Sequence, residues 1–263
     1  MSTAPAASVV DDPWSHLARL TPARIALGHT GCALPTREVL KFALAHARAR
    51  DAVHTRFDVE RIQTAIRAAG FETLTVVSAA ASREIYLRRP DLGRRLSSAS
   101  RAMLETRRGP EVDLVVVVAD GLSAAAVHAQ AVSLIAALRP LIAQAGWRAA
   151  PIVLACEARV ALGDEIGALF KARAVAVLVG ERPGLSSPDS LGVYLTFAPK
   201  IGRTDAERNC VSNIRQEGLA PEAAAVKVTW LLREALRRQL SGIALKDESD
   251  RTLAPPATGT VQP

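Results

Sequence analysis

Lysine is scarce in this 263-residue chain, with five Lys against 28 Arg. Three cysteines, Cys32, Cys156 and Cys210, are too few and too widely spaced for a disulfide scaffold. They fit free thiols in a reducing compartment. Ten aromatic residues, 4% of the chain, leave little capacity for stacking bases. Unbroken apolar runs stop at strand length, as in Leu114 to Ala119, so no bilayer-spanning segment is expected. The first ten residues carry no charge and no basic region ahead of an apolar core, so no signal peptide is expected. CxxC, HExxH, GxGxxG and GxxxxGK[ST] are all missing, which leaves no metal, dinucleotide or phosphate-loop fingerprint.

What is present is ordinary for a globular protein. Apolar residues make up 49% and charged residues 22%, enough to bury a core and too apolar for disorder. Sixteen Gly and 15 Pro exclude a collagen-like or Pro/Gly-rich repeat. The net charge of +7 and a pI near 9.9 raise the question of nucleic acid. The basic residues are scattered, with no run of five, so the excess is read as Arg-rich codon usage rather than a nucleic-acid patch.

The chain divides by pattern. Residues 1–12 are expected to be a loose tail, 13–110 a mainly helical region, 111–247 an α/β domain, and 248–263 a disordered tail. In the helical region, Pro35-Thr36 opens a helix with an apolar stripe of Val39, Leu40, Phe42, Ala43 and Ala47. A second helix runs from Asp58 to Ala69 and is stopped by Gly70. Residues 72–78 alternate like a strand, 82–89 form a short helix, and Asp91 caps a helix running to about Arg107. Beyond 111 come apolar strands at 113–119, 152–156, 174–179 and 193–198. Helices are expected at 123–145, broken at Pro140, at 164–172 and at 221–240. Fully apolar strands alternating with helices predict a mostly parallel, Rossmann-like sheet flanked by helices. Ligands of such sheets sit at the carboxyl ends of the strands.

Three stretches at those ends carry chemistry. Asp120-Gly121-Leu122-Ser123 pairs a turn glycine with a helix-capping serine. Gly180-Glu181-Arg182-Pro183-Gly184 is a shaped loop that sets a carboxylate toward a cleft. Residues 204–215 are polar; Cys210 there reads as a packed small hydrophobe, while Asn209, Ser212 and Asn213 could bond an amide-rich ligand. A serine nucleophile has only half of its motif in Gly121-Leu122-Ser123-Ala124-Ala125, with His128 one helical turn away.

These stretches, in order, resemble the small (light) chain of ethanolamine ammonia-lyase. The resembling residues are Leu34-Pro35-Thr36 with His46 to Val53, Tyr86 to Leu96, Asp120 to Ser123, Gly180 to Leu185, Glu207 to Gln216, and Ser241-Gly242-Ile243. The resemblance covers roughly residues 24 to 247. It implies a subunit of an adenosylcobalamin-dependent radical enzyme that turns ethanolamine into acetaldehyde and ammonia. The implied partner is a large, barrel-shaped catalytic chain, in an assembly of six small and six large subunits. Carried over by motif, the small-chain cobalamin contacts fall on Val160, Glu181 and Cys210, with no catalytic and no metal-ligating residue on this chain.

The chemistry agrees with that placement. Corrin amide arms want acceptors such as Glu181, apolar corrin faces want Val and Cys, and Arg182 or Arg208 could meet the cofactor phosphate. No histidine stands in a DxHxxG pattern, so the cofactor's own dimethylbenzimidazole is expected to stay on cobalt. Residues 1–20 lack the amphipathic extension that sends some members into a protein-shelled microcompartment, so a free cytoplasmic complex is expected, with no nucleic acid and no membrane. The competing reading is a stand-alone α/β enzyme acting on a nucleotide or sugar. It requires a full acid–base or nucleophile set on one rim, and the sequence does not supply one.

Overall fold

A computed structural model describes residues 9–107 and 109–250. Most of the two expected tails lies outside these residues. Of the remainder, Val10 exchanges backbone hydrogen bonds with His29 at 2.9 and 3.0 Å, and Lys227 binds Asp247, Ser249 and Asp250.

The helices are α1 (Thr36–His54), α2 (Val59–Ala68), α3 (Arg83–Arg88), α4 (Ser98–Glu105), α5 (Ala124–Gln144), α6 (Leu162–Leu169) and α7 (Pro221–Arg238). The strands are β1 (Thr73–Val77), β2 (Val112–Ala119), β3 (Ile152–Cys156), β4 (Ala172–Gly180), β5 (Leu191–Phe197) and β6 (Asn209–Ile214). They form one six-stranded sheet in the order β1-β3-β2-β4-β5-β6. The first four strands in that order are parallel, and β5 and β6 continue antiparallel. The fold is therefore a mixed α/β sheet, mostly parallel, as the apolar runs predict. The strand at 73–77 belongs to it, so the helical region contributes an edge.

The central strands are apolar throughout because both faces are covered. Leu114, Val116 and Val118 of β2 pack with Leu154, Leu178, Val127, Leu134 and Val228 on the side of α5 and α7. Val115, Val117 and Ala119 pack with Val153, Val175, Leu162 and Ile166 on the side of α6. By length and composition α5 is apolar enough to cross a bilayer, but here its apolar side chains join the first of these clusters.

Local chemistry sets the element ends. Asp58, Ser82, Ser97 and Ser123 each accept a hydrogen bond from the first turn of α2, α3, α4 and α5. Asp91 opens only the short 3-10 turn Leu92–Arg94, and the helix after it is capped by Ser97 instead. Pro140 does not break α5, which continues to Gln144. The α6 helix is shorter than expected, because Ala172 already belongs to β4. The apolar stripe expected along α1 faces outward: Val39, Leu40, Phe42 and Leu44 are exposed, and Ala52 is the one buried residue of the helix.

One ion pair ties the antiparallel edge to the rest. Arg208, just before β6, holds Asp164 of α6 with two 2.7 Å bonds and reaches Thr196 of β5 at 2.8 Å. Both charged side chains are 1% exposed. Arg208 is thus committed inside the protein, which corrects the expectation that it could meet a cofactor phosphate. Removing one partner of such a pair leaves a buried, uncompensated charge. Arg208→Met should lower unfolding stability by about 3–5 kcal/mol, and the double variant Arg208→Met/Asp164→Leu should recover much of the loss. Chemical denaturation midpoints measure both; a double variant no better than the single would contradict the assignment.

A crevice at the carboxyl ends of the parallel strands

The crevice opens where β2 and β4 lie side by side and their following loops diverge. The chain after β2 runs through α5 to β3 on one side, while β4 turns into β5 on the other. Such a split is where open α/β sheets bind ligands. Here it makes a cavity of about 400 Å³ with walls from Gly121, Leu122, Val160, Val179, Glu181 and Tyr194.

Two glycines bring the loops together. Gly121 has φ +58°, and a Cβ there would lie 2.3 Å from the Gly180 carbonyl oxygen. A Cβ on Gly180 would lie 2.0 Å from the Ser123 carbonyl oxygen. The contact is closed by the Leu122 N–H donating to the Gly180 carbonyl at 2.9 Å. Side chains at either position would wedge the floor open.

Asp120 fixes the same floor from below. Its Oδ1 accepts from the Gly121 and Ala158 N–H groups at 3.1 and 3.0 Å, and its Oδ2 accepts from Arg83 at 3.2 Å. Arg83 also reaches Glu157, the Gly121 carbonyl and the Val53 carbonyl. Burial pushes the Asp120 pKa up to about 7, against the pull of these bonds and of Arg83.

Tyr86 stands behind this wall. It is fully buried and its hydroxyl donates to the Ala158 carbonyl at 3.2 Å. The ring carries the Arg83 guanidinium 4.8 Å and the Arg159 guanidinium 4.4 Å from its centroid. Arg159 precedes Val160 in the turn after β3 and lines the crevice.

Glu181 lies over the opposite wall. It accepts from the Ser190 hydroxyl at 2.5 Å and from the Asn213 N–H at 3.4 Å. A Cβ on Gly192 would meet its Oε1 at 2.7 Å, so the glycine makes room for the carboxylate.

The structure therefore brings Val160 and Glu181 into one cavity. It corrects one placement: Cys210 does not follow the carboxyl end of β5 on that rim. β5 runs antiparallel to β4, so its carboxyl end is on the far edge, and residues 209–214 return as β6. Cys210 pairs with Tyr194, whose side chain shares the crevice, so the cysteine sits beside the cavity through that neighbour. Desolvation raises its thiol pKa above that of a free cysteine, against the opposing pull of the Tyr194 hydroxyl. Asn209 is turned inward, bonding the Gly242 and Leu245 carbonyls at 3.2 and 2.7 Å, so it faces no ligand.

The nucleophile reading fails on geometry. The Ser123 hydroxyl donates to the Pro188 carbonyl at 2.8 Å, and His128 Nε2 accepts from the Asp58 N–H at 2.9 Å. Burial lowers the His128 pKa, which keeps that nitrogen an acceptor. Among the described residues no group of three His, Cys, Asp or Glu side chains could hold a metal ion. Tyr86, Arg159 and Tyr194 were not singled out by sequence; each enters through contacts across the fold, and only Tyr86 lies in a motif of its own.

Asp120 makes a pH prediction. A carboxyl with a raised folded-state pKa contributes stability below its unfolded pKa of about 3.9, and loses it as pH rises through the folded value near 7. The stability difference between wild type and Asp120→Asn should therefore move in favour of the variant between pH 4 and pH 7. Thermal or urea melts across that range measure it, and a difference that stays flat would refute the buried-acid assignment.

Comparison with known proteins gives the family. The family model described as "Ethanolamine ammonia-lyase light chain (EutC)" matches residues 11–246. The ethanolamine ammonia-lyase small subunit of Xanthomonas campestris pv. campestris is 56% identical over 245 residues, covering 92% of this chain and 90% of that protein. The small subunit of Bradyrhizobium diazoefficiens is 55% identical over 253 residues, covering 95% and 96%. That of Ralstonia nicotianae is 53% identical over 247 residues, covering 93% and 92%. With the crevice, the motifs and these relatives in agreement, the chain belongs to the ethanolamine ammonia-lyase small-subunit family.

Proposed function

We propose that this chain is the cofactor-sharing subunit of an adenosylcobalamin-dependent ethanolamine ammonia-lyase, which converts ethanolamine to acetaldehyde and ammonia. The observation that carries the reading is the crevice between β2 and β4. Its apolar walls and the Glu181 carboxylate suit part of a bulky, amide-rimmed ligand, and among the described residues its lining holds no complete acid–base or nucleophile set.

The residues fit the group. Leu122, Val160, Val179 and Tyr194 offer an apolar wall suited to a corrin face. Glu181 offers acceptor oxygens to amide arms, with Ser190 and Asn213 fixing the carboxylate. Arg159 Nε is buried without a partner. A cavity of about 400 Å³ takes only part of a corrinoid, which suits a site completed by a larger chain. The chemistry that bound adenosylcobalamin supplies is homolytic generation of an organic radical able to take hydrogen from substrate. This chain's part is to bind and orient. Val160 and Leu122 would keep water from an apolar face of the group, and Glu181 would accept hydrogen bonds from its amide arms. Cys210, exposed beside Tyr194, stays a thiol, because desolvation of the sulfur raises its pKa.

The relatives' designation as small subunits supports a large-subunit partner, with six of each as the assembly we adopt. Three free cysteines fit a reducing, cytoplasmic compartment.

The chain alone should release no acetaldehyde from ethanolamine, and adding large subunit plus adenosylcobalamin should restore turnover. Activity without the large subunit, or none with it, sinks the assignment. Within that complex, Glu181→Gln should raise the cofactor Kd about 10-fold, the cost of weakening one charge-assisted bond, with little change in the KM for ethanolamine. Equal effects on both constants would argue against a cofactor contact.

A further inference from the structure

Arg159 is the charged side chain that the cleft holds in place and leaves without a counter-ion. Its neighbours are spoken for: Arg83 pairs with Asp120 and Glu157, Arg101 with Glu165, Arg203 with Glu207, and Arg208 with Asp164. Among the described residues Arg159 makes no ion pair, and its buried Nε has no acceptor. A half-buried guanidinium is costly unless something answers its charge.

The group is also held still. It stacks 4.4 Å from the centroid of Tyr86, a fully buried ring fixed by its hydroxyl bond to the Ala158 carbonyl. The Arg159 N–H donates to the Gly93 carbonyl at 2.8 Å. A Cβ on Gly93 would come within 2.8 Å of Tyr86 and 3.0 Å of the Arg159 Cγ, so glycine shapes the slot around both. From this slot Arg159 borders three neighbouring cavities, of about 400, 370 and 450 Å³. Arg182 lines two of these cavities and Arg94 the third; both are exposed and add positive potential at the mouth.

A fixed, unpaired guanidinium selects an anion, and a planar fork suits phosphate oxygens. Resting on the cofactor reading above, the identity of that anion follows from the ligand's chemistry. Ethanolamine is a cation, and the acetamide and propionamide arms are neutral. The phosphodiester of the nucleotide tail is the anionic group left to recognise. We propose that Arg159, positioned by Tyr86, binds the phosphodiester of the cofactor's nucleotide tail. It thereby distinguishes complete cobalamins from corrinoids lacking that tail. Arg208 is buried in its own pair, and Arg182 at the exposed mouth has no such stack to orient it.

The test is equilibrium binding to the reconstituted complex, using cobalamin and cobinamide, which lacks the nucleotide tail and its phosphodiester. Arg159→Gln should raise the cobalamin Kd about 10- to 100-fold, the range for losing a charge-assisted hydrogen bond, and change the cobinamide Kd by less than about twofold. Arg159→Lys, which keeps the charge without the fork, should recover part of the loss. Unchanged cobalamin binding by Arg159→Gln overturns the proposal. So does an equal loss for both corrinoids, which would mark a merely structural residue. A wild-type complex that binds neither corrinoid overturns the cofactor reading itself, an outcome distinct from both. Circular dichroism and co-elution with the large subunit establish that the variants are folded and assembled.

Discussion

The buried carboxylate of Asp120 is the constraint on which the crevice depends. It ends β2 and holds the backbone of its own loop, the loop after β3, and the Arg83 guanidinium. Through Arg83 it also reaches the carboxyl end of α1. A charge so placed contributes little net stability, because desolvation offsets most of the attraction. Its value is geometric. Alternative packings of these four segments would leave a carboxylate and a guanidinium unsatisfied, and so are excluded. The Tyr86 ring, stacked on Arg83, inherits that fixed position and passes it to Arg159.

Much of the sheet was legible in the sequence because its strands are buried on both faces. Runs such as Leu114 to Ala119 have no other comfortable state. The strand at 209–214 was not legible. Asn-Cys-Val-Ser-Asn-Ile is polar because β6 is an edge strand, and only Val211 and Ile214 are buried. The α1 stripe misled for the opposite reason. It is apolar in sequence yet exposed in this chain, so periodicity reported an amphipathic face without reporting what it packs on. Pro140 sits in a long helix whose apolar residues join the core, and that packing outweighs the hydrogen bond the proline forfeits.

The site divides in the same way. Glu181 could be placed near a cleft because it follows a strand whose end was already identified, and Val160 came from the family resemblance, which its place after β3 agrees with. Tyr86 and Arg159 could not, since their partnership joins residues 73 positions apart. Nothing local in either segment signals a stack. The negative results are equally physical. Ser123 and His128 look like catalytic material in sequence, and both turn out to be spent on the backbone, one on Pro188 and one on Asp58.

The sheet topology has a consequence for how the crevice comes into being. β4, β5 and β6 pair with their sequence neighbours, so the Glu181 wall rests on short-range contacts. The wall from β2, β3 and α3 requires crossovers, with β1 meeting β3 across more than seventy residues. Long-range parallel pairings are slow to close, whereas antiparallel neighbours close early. One side of the crevice thus rests on pairings near in sequence and the other on pairings far apart, so the cavity exists only where both kinds of contact are made.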